Sequence, residues 1–197
     1  MNRFILLCLR VLGTRFSFDK PVNIPENVPV IIVANHQSLW DIPPIIWYLR
    51  KLHPKFIAKK ELAKGVPGVS YNLRHGGSVL IDRNDANQAL AAIKQMGNYI
   101  EKYNRSVVIF PEGTRSKTGV PRKFKGKGLL TLFKNAPHAY VLPVTINNSW
   151  KLQRYGMFPM PLGVTIQHIL HPVLKVSDYQ SEELIELVEK QIKSKIN

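Results

Sequence analysis

Short apolar runs, each cut off by a polar or proline-containing cluster, set the rhythm of this chain. Pro29–Ala34 (PVIIVA) is rich in β-branched residues and free of charge, which predicts a buried strand. It stops at Asn35-His36, and a helix is expected from about Asp41 to Lys51 because Pro43 and Pro44 fall in its first turn. Lys55–Ala58, Ser78–Ile81 and Ser106–Phe110 predict further strands, the last stopped by Pro111, while Gly65, Pro67 and Gly68 mark a loop. Leu90, Ile93, Met96, Gly97 and Ile100 recur at helical spacing, so a helix capped by Asp85 should run to about Tyr103. Gly128–Lys134 predicts another helix and Ala139–Ile146 a strand despite Pro143. Val164–Leu170 and Val173–Val176 read as late strands. Ser181–Lys195 reads as an amphipathic terminal helix with Ser181 as cap and acidic residues in its first turn.

Strands alternating with helices imply one α/β domain over residues 1–197, with a mixed, mostly parallel sheet flanked by helices and ligands near strand ends. The polar clusters that punctuate the pattern all follow strands: His36 to Asp41, Asp82-Arg83 and Pro111 to Ser116. A site assembled from several loops is expected there. At the start, the apolar run from Phe4 to Leu9 is well short of the ~20 apolar residues that span a bilayer. Residues 1–16 instead suggest a short amphipathic helix. Phe4, Leu7 and Val11 share one face, and Arg3, Arg10 and Arg15 can meet phosphate headgroups. A helix packed on its own domain is the alternative.

Charge changes the picture next. The 28 Lys and Arg against 13 Asp and Glu leave a net charge of +15, which favours a polyanionic partner: nucleic acid, anionic lipid or a phosphorylated ligand. Cys8 is the one cysteine, so no intrachain disulfide can form and a reducing compartment is expected.

Two clusters carry candidate chemistry. In NHQSLWD (Asn35–Asp41), a turn between strand and helix brings Asp41 back beneath His36, where its carboxylate can hold the Nδ1 proton and stabilise an imidazolium. Such a base can activate a hydroxyl; a purely structural His–Asp pair is the alternative. In FPEGTRS (Phe110–Ser116), Gly113 permits a tight turn whose backbone amides can cradle an anion. Arg115 suits bidentate phosphate recognition, and Glu112 can orient Arg115 or an incoming hydroxyl. A surface turn with an ion pair is the plainer reading.

These residues resemble the lysophosphatidate acyltransferase family of glycerolipid acyltransferases. NHQSLWD resembles that family's HxxxxD block, and FPEGTRS its third block. Gly77–Arg83 (GSVLIDR) resembles the second, and Val141–Val144 (VLPV) the fourth. The order and intervals agree over residues 28–146. The resemblance implies that His36 is the general base, oriented by Asp41, for a hydroxyl that attacks an acyl thioester directly. No acyl-enzyme, metal or cofactor is implied; acyl-CoA or acyl carrier protein would be co-substrate. It assigns Glu112, Gly113, Thr114 and Arg115 to the acceptor, with Arg83 a further candidate for its phosphate. Pro143 reads as structural or as shaping the acyl site. An oxyanion hole is expected from backbone amides near Asp82 or Gly113. The acceptor stays open between lysophosphatidate, glycerol-3-phosphate and a lyso-amino-acid lipid. Lys117, Arg122, Lys123, Lys125 and Lys127 can meet coenzyme A phosphates, an acidic carrier protein or headgroups. A place on the cytoplasmic face of a membrane, peripheral or monotopic, is expected: the apolar start is shorter than in many bacterial relatives, and that face suits either thioester donor. Two rivals lack their signatures: no zinc-finger, RNP or helix-turn-helix pattern supports a nucleic-acid module, and no GxSxG elbow supports a hydrolase.

Overall fold

Val30–Ala34 forms the central strand β2 and is buried on both faces, as an unbroken β-branched run requires when helices cover both sides of a sheet. The computed structural model describes residues 2–19, 22–63, 73, 75–82 and 84–197; Gly65, Pro67, Gly68 and Arg83 lie outside them. Before β2 come α1 (Asn2–Val11) and β1 (Arg15–Phe18). After it come α2 (Ile42–Tyr48), β3 (Pro54–Lys59), β4 (Val79–Ile81), α3 (Ala86–Tyr103) and β5 (Ser106–Ile109). The chain then forms α4 (Gly126–Asn135), β6 (Tyr140–Asn147), β7 (Thr165–Leu170), β8 (Leu174–Lys175) and α5 (Ser181–Lys193). The sheet order is β1-β7-β6-β2-β5-β3-β4, with β8 also paired to β6. All neighbouring strands are parallel except β6 with β7 and with β8. This is the expected single-domain α/β architecture, a mostly parallel sheet between helices.

Side chains alternate across the strands and divide the core into two layers. On one face Ile31, Val33, Val107, Ile109 and Val141 pack against α3, α4 and α5. On the other, Val30, Ile32, Val108, Leu142 and Val144 meet Leu9 of α1 and Ile45 of α2. Gly97 is a packing requirement. A Cβ there would stand 2.8 Å from the Asn135 Cβ, so its absence lets α3 and α4 close together. Asp85 does cap α3, its carboxylate accepting from the Gln88 amide at 2.9 Å.

Three features depart from the pattern. β1 was not expected: four residues beginning with Arg15 and half exposed show no apolar run, and they form a strand because β7 offers a parallel partner. Ser181 is not the cap of α5. The Leu184 amide closes the first turn on the Gln180 carbonyl at 2.9 Å, so Gln180 stands at the cap, with no side-chain bond, and Ser181 is already helical. Pro143 sits inside a central strand, which its missing N–H ordinarily forbids. Here β7 pairs with Val144–Asn147 and β8 with Tyr140 and Val141, so the proline falls at the interruption between them.

His168 on β7 is fully buried and stacked 5.0 Å from the Phe18 ring. Burial pushes its pKa from 6.5 down to about 4, against the opposing pull of the Asp41 charge. The unfolded chain therefore binds this proton at a higher pH than the native protein, and acidification between the two values favours unfolding. The group should cost about 2 kcal/mol of stability between about pH 7 and about pH 5. His168→Phe keeps a ring without a titrating nitrogen and should flatten that fall, read as urea midpoints at each pH. An unchanged slope would assign the acid sensitivity to other groups.

Candidate active site

The parallel trio β5-β2-β6 ends at one edge of the sheet, and each strand delivers a polar segment there. Asn35 prolongs the ladder past the end of β2 with its side chain. Its amide nitrogen donates to the Ile146 carbonyl at 2.8 Å, and its oxygen accepts from the Ile146 amide at 2.7 Å. This anchors the chain just before His36.

Ser38 to Asp41 then make one tight helical turn closed by a capping box. The Trp40 amide donates to Ser38 Oγ at 3.0 Å, and the Asp41 carboxylate reaches back to the Ser38 amide at 2.9 Å. That reciprocal turn is what a five-residue His–Asp spacing builds. It sets His36 Nδ1 2.7 Å from Asp41 Oδ2, while the Gln37 amide donates to the same oxygen at 2.7 Å. Ser149, just beyond β6, donates its hydroxyl to Asp41 Oδ1. Asp41 has no solvent exposure. Burial alone would push its carboxyl up. The hydrogen bond and charge of His36, joined by Ser149 and the Ser38 amide, outweigh burial and hold it below the usual carboxylate range.

An ionised Asp41 on Nδ1 fixes the proton there and leaves Nε2 with its lone pair. The imidazole lies on the Phe110 ring, with centroids 4.2 Å apart and planes 18° from parallel, so its orientation is held from the side as well. Among the described residues no side chain is hydrogen-bonded to Nε2.

The FPEGTRS segment folds against this turn. Glu112 is buried and both its oxygens are engaged: Oε1 accepts from the His36 amide and Oε2 from the Arg122 amide, each at 2.7 Å. Burial raises its pKa, an effect the two amides only partly offset. Glu112 therefore does not face outward to orient Arg115 or a hydroxyl, as the sequence suggested; its carboxylate ties three backbone segments together. The Ser116 amide adds a bond to the His36 carbonyl at 2.7 Å. Gly113 turns with φ +70°, and a Cβ there would lie 3.1 Å from Lys125 Nζ, so Lys125 crosses directly over the turn. Thr114 is half-buried beside it, and Arg115 is exposed, with Nη1 donating to Gln153 Oε1 at 3.1 Å. The same Gln153 oxygen accepts from the Leu39 amide at 3.0 Å. The amides of Asp82 and Gly113, candidates for an oxyanion hole, instead donate to Gln88 Oε1 and the Phe110 carbonyl.

The structure thus brings His36, Asp41, Gly113, Thr114 and Arg115 to one strand edge. Sequence reasoning missed Ser149, Gln153 and Gln37, whose side-chain nitrogen donates to the Gly119 carbonyl at 3.1 Å. Gln37 lay within a cluster already singled out; Ser149 follows the fourth block by only a few residues, a proximity that could have flagged it.

The α/β sheet thus carries a buried carboxylate–imidazole pair on the same strand edge as a glycine turn and an arginine. Comparison with known proteins identifies the family. The acyltransferase family model matches residues 15–147. A 1-acyl-sn-glycerol-3-phosphate acyltransferase of Borreliella burgdorferi is 31% identical over 100% of this chain and 77% of its own length. A protein of the same name from Helicobacter pylori is 38% identical over 64% of this chain and 54% of its own. The crystal structure of the 1-acyl-sn-glycerophosphate (LPA) acyltransferase PlsC from Thermotoga maritima superposes with a TM-score of 0.78 at 29% identity, covering 98% of this chain and 75% of that one. The chain belongs to the acyltransferase family, and it is an O-acyltransferase.

Two substitutions separate scaffold from chemistry. Glu112→Gln places an amide group where one of two backbone N–H donors now finds an acceptor, and should cost about 1–3 kcal/mol in urea unfolding. Ser149→Ala removes one donor from Asp41 and should lower turnover about tenfold with little change in KM. A rise in KM alone would mean that Ser149 shapes substrate binding instead.

Proposed function

We propose that the protein transfers a fatty acyl group from an acyl thioester, acyl-CoA or acyl carrier protein, to the free hydroxyl of lysophosphatidate, giving phosphatidate. The observation that carries this reading is the 2.7 Å bond between His36 Nδ1 and the buried Asp41, which leaves Nε2 without a side-chain partner among the described residues. The names of the relatives support the choice of acceptor.

In this mechanism the acceptor's phosphate meets the Arg115 guanidinium at the turn of Gly113 and Thr114. Its hydroxyl then lies against Nε2. As the hydroxyl oxygen attacks the thioester carbonyl, Nε2 takes its proton, and Asp41 stabilises the imidazolium that forms. The tetrahedral intermediate collapses with loss of the thiolate, which recovers the proton from His36. No covalent acyl-enzyme is needed: the one thiol, Cys8, lies exposed on α1, and the Ser149 hydroxyl is bound to Asp41 rather than to the base. Lys117, Arg122, Lys123, Lys125 and Lys127 are all exposed along the segment that leaves this turn, and they suit the phosphates or carboxylates of the donor. No described helix is long and apolar enough to cross a membrane. We place the enzyme at the membrane periphery, on the cytoplasmic face where thioester donors are found.

The test is transfer from a labelled acyl thioester in detergent micelles, with lysophosphatidate, glycerol-3-phosphate and a lyso-amino-acid lipid as competing acceptors. Phosphatidate should form with the parent protein. His36→Ala should lower turnover by about four orders of magnitude or more with the fold retained. Arg115→Ala should raise KM for a phosphorylated acceptor about tenfold or more, with less effect on an unphosphorylated one. Transfer to another acceptor alone would redirect the pathway, and equal harm to all acceptors by Arg115→Ala would remove its phosphate role.

A further inference from the structure

Among the described residues, nine large apolar side chains stand exposed, and seven of them fall in two short stretches. Four belong to one loop after β6: Tyr155, Met157, Phe158 and Leu162, with Phe158 84% and Leu162 75% exposed. The other three, Phe4, Leu7 and Val11, lie on the outward face of α1, whose inward face buries Leu6 and Leu9. Isolated exposed apolar residues are ordinary on a soluble surface; a cluster of this kind marks a contact.

The two stretches are joined. The Gly163 amide, at the end of the loop, donates to the Leu12 carbonyl at 3.0 Å, and the Arg15 amide donates to the Val164 carbonyl at 2.9 Å. A Cβ on Gly13 would stand 3.3 Å from the Gly163 nitrogen, so backbone meets backbone at the junction. The other root of the loop is Gln153. Its side-chain nitrogen donates to Met157 Sδ at 3.2 Å, while its oxygen holds both the Leu39 amide and Arg115. One side chain thus links the apolar loop to the His36–Asp41 turn and to the guanidinium.

Charge decides what covers this surface. Neither residues 2–18 nor residues 148–177 contain an Asp or Glu, yet Arg3, Arg10, Arg15, Lys151 and Arg154 stand exposed there. Arg154 lies 5.7 Å from the centroid of the Tyr155 ring, an aromatic with a cation at its rim. Apolar tips carried on two segments whose only charges are cationic, with Tyr and Arg at the margin, match the chemistry of an anionic bilayer interface.

We infer that the loop 154–163 enters the interface of an anionic bilayer as a second contact beside the outward face of α1. Gln153 then stands at the waterline, so an acceptor lipid can present its phosphate to Arg115 while its chain stays in the bilayer. This placement rests on reading the site as lipid-acylating; vesicle binding, measured without turnover, lets the two fail separately.

The experiment is sedimentation of the full chain with phosphatidylglycerol–phosphatidylcholine vesicles and with pure phosphatidylcholine vesicles. The parent protein should partition to the anionic vesicles and release in high salt. Phe158→Ser with Leu162→Ser should lower the partition coefficient about tenfold or more, and Phe4→Ser with Val11→Ser should do the same. Both variants should keep the parent's circular dichroism and melting temperature. Turnover of a short-chain lysophosphatidate below its micellar concentration should be unchanged in the loop variant. Loop and parent proteins binding alike would overturn the inference, leaving α1 as the contact. So would a lipid-free dimer that the loop substitutions disperse, since a second copy would then cover the patch. Vesicle binding as expected with no acyl transfer by the parent protein would instead retire the reading of the site and leave the surface standing.

Discussion

A carboxylate without solvent access must find its compensation inside the protein, and Asp41 finds it in groups from separate parts of the chain. The amides of Gln37 and Ser38 and the ring of His36 come from its own turn, and the Ser149 hydroxyl comes from beyond β6. Leaving a buried charge short of such partners costs several kcal/mol. The turn, the end of β6 and the orientation of the imidazole are therefore set together. The sheet supplies the platform: β2 places His36, and parallel neighbours place Glu112 and Ser149 at the same edge. Nothing in this arrangement needs a flexible part, which suits the role of base proposed for His36.

How much of this could be read from residues alone depended on the range of the interaction. β2, β5 and α3 were legible because apolar periodicity and a capping aspartate are local signals, and the structure returns them nearly where expected. β1 was not, since Arg15–Phe18 becomes a strand only through a partner some 150 residues later, as the register Arg15 to Thr165 shows. Ser181 illustrates a smaller failure: a good capping residue lost the position because the turn closed one residue earlier, on Gln180.

The candidate site shows the same division. His36 and Asp41 were visible because five residues of spacing and one capping box build their contact. Arg115 and Gly113 were visible by residue type. Glu112 was misread because a carboxylate beside an arginine invites an ion-pair interpretation, whereas its burial commits it to amides of His36 and Arg122. Gln153 gave no local sign, since its value lies in three partners spread over the chain. Arg83 lies outside the described residues.

Glu112 has one more consequence. It joins segments 76 positions apart through a single side chain, so the histidine block and the glycine–arginine block are not interchangeable parts. Only the surface loops between them can be lengthened freely, because β5 and α3 in that stretch belong to the sheet and core. A block grafted from a relative would fit only if its own glutamate arrived at the height where the His36 and Arg122 amides wait. The two blocks are in that sense a single inherited component, written in the chain as two.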